Sequence, residues 1–151
     1  MTQSLNDFLS DIERKKHATK QGLDMHMLLQ NVVIDDMGNS RGNTDIISII
    51  KQKSDLKPYF VPDAKTEVPI AGIINGVFIS RRTDRLIIDN QTKTIAFLDY
   101  KTDTDKTAFC EKYKKQLNEY AQLLHSMYQE YKISGFILWI HDWELEKMVG
   151  L

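Results

Sequence analysis

The feature that most narrows the fold is a change of hydrophobic period on either side of Lys101 and again near Ile133. From Phe109 onward, apolar residues recur at Tyr113, Leu117, Tyr120, Leu124, Met127 and Tyr131, at gaps of four, four, three, four, three and four. That spacing is one face of a long α-helix. Ahead of it, Glu67–Ile74, Gly76–Asp89 and Lys93–Lys101 are rich in Ile, Val, Phe and Thr and are divided by Ile74-Asn75-Gly76 and by Asp89-Asn90-Gln91-Thr92. They predict three antiparallel strands joined by tight turns. Behind the helix, Ile133–Ile140 predicts a further strand and Glu144–Val149 another. A helix this long can return the chain across a sheet, so the strand after it is expected to lie parallel to Lys93–Lys101. The class that follows is α/β, a central mixed β-sheet flanked by helices.

The N-terminal third supplies the remaining helices. Residues 4–17 and 20–33 read as helical, Asp35–Thr44 with Gly38, Asn39, Ser40 and Gly42 as loop, and Asp45–Lys53 as a short helix packing Ile46, Ile47, Ile49 and Ile50. At 151 residues, 42% hydrophobic and 27% charged, residues 1–151 are expected to form one domain with its own core. A net charge of -1 argues against a chain that binds polyanions over its whole surface, so any such site must be local. One cysteine, Cys110, excludes an internal disulfide and fits a reducing compartment, read here as cytoplasmic. The apolar runs are too short for a membrane span, and no export signal is read in the first residues.

Chemistry concentrates in Phe97-Leu98-Asp99-Tyr100-Lys101-Thr102-Asp103, where a buried strand ends in opposite charges. Side chains alternate along a strand, so Asp99 and Lys101 share one face with Ile95 and Phe97. In the preceding strand Asp84 is in phase with Leu86 and Ile88, and pairing through the Asp89–Thr92 turn sets it across from Asp99 or diagonal to it. Two converging carboxylates need a cation or lose a proton, and oxygen ligands suit Mg²⁺ or Mn²⁺. Lys101 beside them could orient a water or neutralise charge on a phosphate oxygen. The plainer alternative is a surface Asp99–Lys101 pair worth ~0–1 kcal/mol, with Asp84 facing solvent.

Thr83-Asp84-Arg85-Leu86-Ile87-Ile88-Asp89, Ile95-Ala96-Phe97-Leu98-Asp99-Tyr100-Lys101 and Tyr113-Lys114-Lys115-Gln116 through Tyr120 resemble, in order, the PD-(D/E)xK nuclease domain that ends AddA- and RecB-type helicase-nucleases. The Gly22–His26 spacing on an early helix matches a fourth element of that family, and the likeness covers almost the whole chain. Glu67-Val68-Pro69 and Phe136-Ile137-Leu138-Trp139 look like the AddA branch. The resemblance implies a restriction-endonuclease-like PD-(D/E)xK core and a Mg²⁺-dependent deoxyribonuclease, with Mn²⁺ as a substitute, working in double-strand break processing and recombinational repair. It implies Asp84, Asp99 and Lys101 as catalytic residues, and His26, Asp84, Asp99 and the carbonyl of Tyr100 as metal ligands. Gln116 and Tyr120 would order the site and contact DNA, and Arg82 and Arg85 would grip phosphates. Arg81 and the cluster Lys106, Lys112, Lys114 and Lys115 flank the site in sequence and could add backbone contacts. Glu67 is either a supporting acid or a surface residue opening its strand.

The implied partners are single-stranded DNA delivered by a helicase and an AddB- or RecC-like subunit, in a bacterial cytoplasm. No phosphate-binding Gly-Lys-Ser/Thr loop is present, so the chain reads as a domain excised from the end of a larger helicase-nuclease or as a stand-alone relative. Two positions depart from the family: Arg81 stands where glycine is usual, and Thr83 replaces an aliphatic residue. A module that keeps the fold and binds DNA or a partner without cutting is the other functional class open to this sequence.

Overall fold

The structure is a computed structural model that describes residues 20, 22 and 24–151. A helix α1 occupies 24–30, with helical residues at 20 and 22 before it; the helix expected at 4–17 lies outside the described residues. The predicted second helix was to run to residue 33, but it stops at 30 because Val33–Ile34 instead forms strand β1, paired with β2, Ser40–Arg41. The turn and second strand of this hairpin lie inside the span read as loop. Its turn is held by Asp35, whose carboxylate accepts the N–H groups of Met37 and Asn39. Helix α2, Thr44–Gln52, begins where Asn43 accepts the Ile46 N–H at 3.1 Å, and it buries Ile46, Ile47 and Ile50.

Five strands then build the sheet: β3 Lys65–Ile74, β4 Val77–Asp89, β5 Thr94–Lys101, β6 Lys132–Trp139 and β7 Glu144–Gly150. Their order is β3-β4-β5-β6-β7, antiparallel throughout except for the parallel β5–β6 pair. Helix α3, Lys106–Met127, makes that crossover, as the long helical period required. Tyr131, counted in the period, falls in a turn beyond the helix, bonded through its N–H to the Tyr128 carbonyl. Asn75 and Gly76 have φ of 50° and 78°, so β3 and β4 join by a two-residue turn whose twist matches that of the strands.

The sheet is covered on both faces, which is why its central strands are nearly continuous in apolar residues. Along β5, Ile95 and Phe97 pack under α3 with Leu117, Tyr120 and Leu124, while Leu98 and Tyr100 pack on the other side with Leu29, Ile50 and Phe60. Gly135 on β6 sits opposite Phe97, where an added Cβ would lie 2.6 Å from Val149 Cγ1. The β3–β4 hairpin reaches past this double-layered region, because β5 pairs only with Arg85–Asp89 of β4. Residues 77–83 pair with β3 alone and form a two-stranded arm that ends at Asp84. No helix among the described residues is long and apolar enough to cross a membrane.

Candidate active site

The β4–β5 ladder ends at Arg85↔Leu98, and the next position in that register sets Asp84 opposite Asp99. The strands part there. In place of a main-chain acceptor, the Tyr100 N–H donates to Asp84 Oδ2 at 2.7 Å. Side-chain alternation also breaks at this point. Arg81 reaches α3, where its Nε lies 2.7 Å from Glu119, yet Arg85, four residues on, reaches the end of α1. Residues four apart on a regular strand share a face. Across from Asp84 in the β3 register stands Glu67 with φ of 52°, a left-handed conformation that costs a non-glycine residue about 1–3 kcal/mol. The break turns Asp84 toward α1 together with Arg85, so Asp84 is out of the phase with Leu86 that the sequence suggested.

His26 meets it from α1. Its Nδ1 donates to the Gly22 carbonyl at 2.7 Å and its Nε2 lies 3.2 Å from Asp84 Oδ2. The hydrogen bond and charge of Asp84 raise the imidazole to about 9 against the opposing effect of burial. His26 therefore stands here as a cation paired with Asp84. Among the described residues, a Cβ added at Gly22 would meet only Thr102 Oγ1, at 3.8 Å, an ordinary contact. What Gly22 gives His26 is a main-chain carbonyl.

Asp99, 5% exposed, holds its Oδ2 2.7 Å from Lys101 Nζ, but among the described residues no donor approaches that buried oxygen in hydrogen-bonding geometry. Burial first, and the neighbouring Asp84 charge second, push its carboxyl up to about 6, against the pull of Lys101. Lys101 is held in turn by α3. Its Nζ donates to Gln116 Oε1 at 2.9 Å and lies 4.1 Å from the centre of the Tyr113 ring, and Gln116 Nε2 donates to the Tyr120 hydroxyl at 3.0 Å. Gln116 and Tyr120, one turn apart, thus order Lys101. Tyr120 is 6% exposed and packs in the core, so the expected outward contact with DNA is not open to it. Tyr113 was read only as part of the apolar stripe; its hydroxyl also donates to Asp103, the last acid of the charged strand end. A tyrosine three residues before Gln116 on one helix face was the available signal.

Arg85 requires a larger correction. It is 1% exposed, donates to the carbonyls of Leu29, Val32 and Tyr59 and to the Tyr100 hydroxyl, and stacks 4.3 Å from the Phe60 ring. Buried so completely, it ties α1 to the sheet and cannot grip a phosphate. Lys106 is likewise engaged, 2.6 Å from Asp142 and 2.5 Å from Glu144. Arg82 stays at the surface, its side chain 67% exposed and 3.6 Å from Glu67. Lys112, Lys114 and Lys115 are exposed along α3.

Among the described residues, no three His, Cys, Asp or Glu side chains are spaced to hold a metal ion together. The donor types suit a hard cation: the carboxylates of Asp84 and Asp99 and the imidazole of His26 lie about the point where β4 and β5 part. The buried Asp99 oxygen without a hydrogen-bonding donor is the structural feature that such an ion would satisfy. In the arrangement seen, the His26 and Lys101 cations stand against the carboxylate oxygens instead.

No protein-family model and no curated protein matches this chain. Among solved structures it is similar to one described as the crystal structure of SSO0001, with 23% identity and a TM-score of 0.41. That likeness covers 69% of this chain and 48% of the other, so this chain spans about half of that protein's length.

Proposed function

We propose that this chain is a metal-dependent deoxyribonuclease with a PD-(D/E)xK-type core, hydrolysing DNA phosphodiesters at Asp84, Asp99 and Lys101. The observation that carries the reading is Asp99 itself: a carboxylate buried at a strand end beside a second acid, with one oxygen lacking a hydrogen bond and a lysine fixed against it. A surface ion pair has no reason to be buried or to recruit Gln116, Tyr113 and Tyr120 around its cation. Asp84, Asp99, His26 and the Tyr100 carbonyl would hold Mg²⁺ or Mn²⁺. When bound, the ion supplies Lewis acidity toward a phosphoryl oxygen and makes its water a stronger acid. Lys101 has three N–H donors, of which Gln116 takes one while Asp99 is held by charge alone, so a donor remains for a water or a phosphate oxygen. His26 would have to give up its Nε2 proton to ligate; without metal, that N–H faces Asp84 Oδ2 at 3.2 Å.

The biological setting follows the same reading: single strands fed by a helicase, an AddB- or RecC-like partner, and break processing in a bacterial cytoplasm. One observation favours the rival reading of a non-cutting DNA-binding module, namely that each carboxylate already faces a cation. Incubating the chain with end-labelled single-stranded DNA in Mg²⁺, Mn²⁺ or EDTA decides between them, alongside Asp99→Ala and Lys101→Ala proteins with unchanged circular dichroism. Cleavage that needs metal and is lost in both variants supports the nuclease. DNA binding without cleavage under every metal condition supports the module.

A further inference from the structure

The β3–β4 arm has two unlike faces. One lies under α3: Arg81 pairs with Glu119, and a Cβ on Gly72 would come within 3.2 Å of Leu123 and Ser126. The other carries Phe78, Ser80, Arg82 and Asp84 from β4, opposite Ile73, Ala71, Pro69 and Glu67 of β3. Phe78 is 70% exposed and Ile73, directly across from it, 71% exposed. The row from Phe78 to Asp84 covers six residues of strand, about 20 Å at ~3.3 Å per residue. It runs from an aromatic ring with bare faces, through a hydroxyl and a loosely held guanidinium, to the acid facing His26.

We propose that this face is a track for single-stranded nucleic acid, with Phe78 as a platform on which an unpaired base stacks and Arg82 as a contact to the backbone phosphate nearer Asp84. The inference rests on the phosphodiesterase reading of the site and extends it by naming how the substrate is held. Charge and continuity choose the occupant. A cation between an apolar tip and an acidic site complements a chain that alternates flat bases with phosphates. A duplex keeps its bases stacked on each other and offers none to Phe78. Arg82 can turn to a phosphate because its side chain is 67% exposed and its ion pair with Glu67 is long, at 3.6 Å.

The test is binding of a fluorescein-labelled oligothymidylate to the full chain in EDTA, where cleavage is silent, read by anisotropy. Phe78→Ala should weaken binding roughly 5- to 150-fold, the range for one base stacked on an aromatic ring. Arg82→Gln should lower the slope of log affinity against log salt by about 0.7. Met37→Ala, altering a residue 88% exposed on the β1–β2 loop, should leave binding unchanged. Binding of a blunt duplex should not respond to Phe78→Ala. Affinity of a folded Phe78→Ala protein within twofold of wild type overturns the inference. So does a change in its sedimentation with DNA binding intact, which would make the face a protein-docking surface. A chain that binds through Phe78 yet never cuts in Mg²⁺ or Mn²⁺ keeps the track and removes the nuclease. One that cuts with Phe78→Ala indistinguishable in KM and affinity does the reverse.

Discussion

Replacing Arg85 should destabilise the fold far more than losing a surface cation would. Its guanidinium donates at 2.7 Å to Leu29 O, 3.1 Å to Tyr59 O and 2.9 Å to the Tyr100 hydroxyl, with a longer contact of 3.4 Å to Val32 O. Arg85→Met preserves much of the volume but removes every donor. Leu29 O keeps one partner, the Val32 N–H at 3.1 Å, so the groups most fully deprived are Tyr59 O and the Tyr100 oxygen. At ~1–3 kcal/mol for each unsatisfied buried group, with a smaller share for Leu29 and Val32, the loss is about 3–6 kcal/mol. Removing a buried cation that has no acidic partner among the described residues offsets part of this, leaving an expected loss of about 3 kcal/mol. Arg85→Lys should cost at least ~1.5 kcal/mol, because an ammonium cannot span acceptors arranged around a planar fork. Urea unfolding followed by tryptophan fluorescence reads the change, since Trp139 is wholly buried. The midpoint should fall with the m-value unchanged, and equally at low and high salt because the group is out of solvent. If both variants unfold within about 1 kcal/mol of wild type, the guanidinium does not tie α1 to the sheet.

Asp99→Asn should stabilise the metal-free protein in EDTA at neutral pH, and should abolish cleavage when Mg²⁺ is supplied. Because its folded pKa is raised to about 6 from 3.8, the acid's stabilising contribution is complete below about pH 3.8 and is lost as pH rises through 6. The variant's advantage in melting temperature should therefore grow between pH 4 and 6.5 and level off above; a flat difference across that window would show that the carboxylate is not strained by burial. Gly135→Ala should cost about 1–3 kcal/mol by forcing a methyl against Phe97 and Val149, whereas Gly22→Ala, which among the described residues meets only Thr102 at 3.8 Å, should fold normally. Equal urea midpoints for the two would refute the packing argument at Gly135.

The layered sheet was legible because its evidence is local and periodic. The α3 stripe, the Asn75-Gly76 turn and the two-faced burial of Ile95-Ala96-Phe97-Leu98 each announce themselves within a few residues. Asp99 and Lys101 were legible for the same reason, since alternation on one strand sets their shared face, and the structure brings them to 2.7 Å. Helix α1 was read too long because apolar Val32, Val33 and Ile34 continue its composition; what ends it is the hairpin partner Ser40–Arg41. Arg85 was misread because burial of a cation depends on acceptors from three places distant in sequence, Leu29, Tyr59 and Tyr100. Nothing in the neighbourhood of Arg85 distinguishes it from Arg82, which stays in solvent.

The phase of Asp84 was illegible for a deeper reason, and it links the site to the arm. A strand pattern read from sequence assumes unbroken alternation, but here a left-handed Glu67 on the facing strand lets Asp84 and Arg85 turn the same way. With Asp84's carboxylate taking the Tyr100 N–H, β5 has no further main-chain partner in β4 and the two strands separate. Separation opens the space in which Asp84, Asp99 and His26 meet. It also releases Val77–Asp84 from the sheet, so that α3 covers one face of the arm and the other stays bare up to the site. Site and arm are therefore two results of one irregularity, and a chain with regular pairing through Asp84 would lack both.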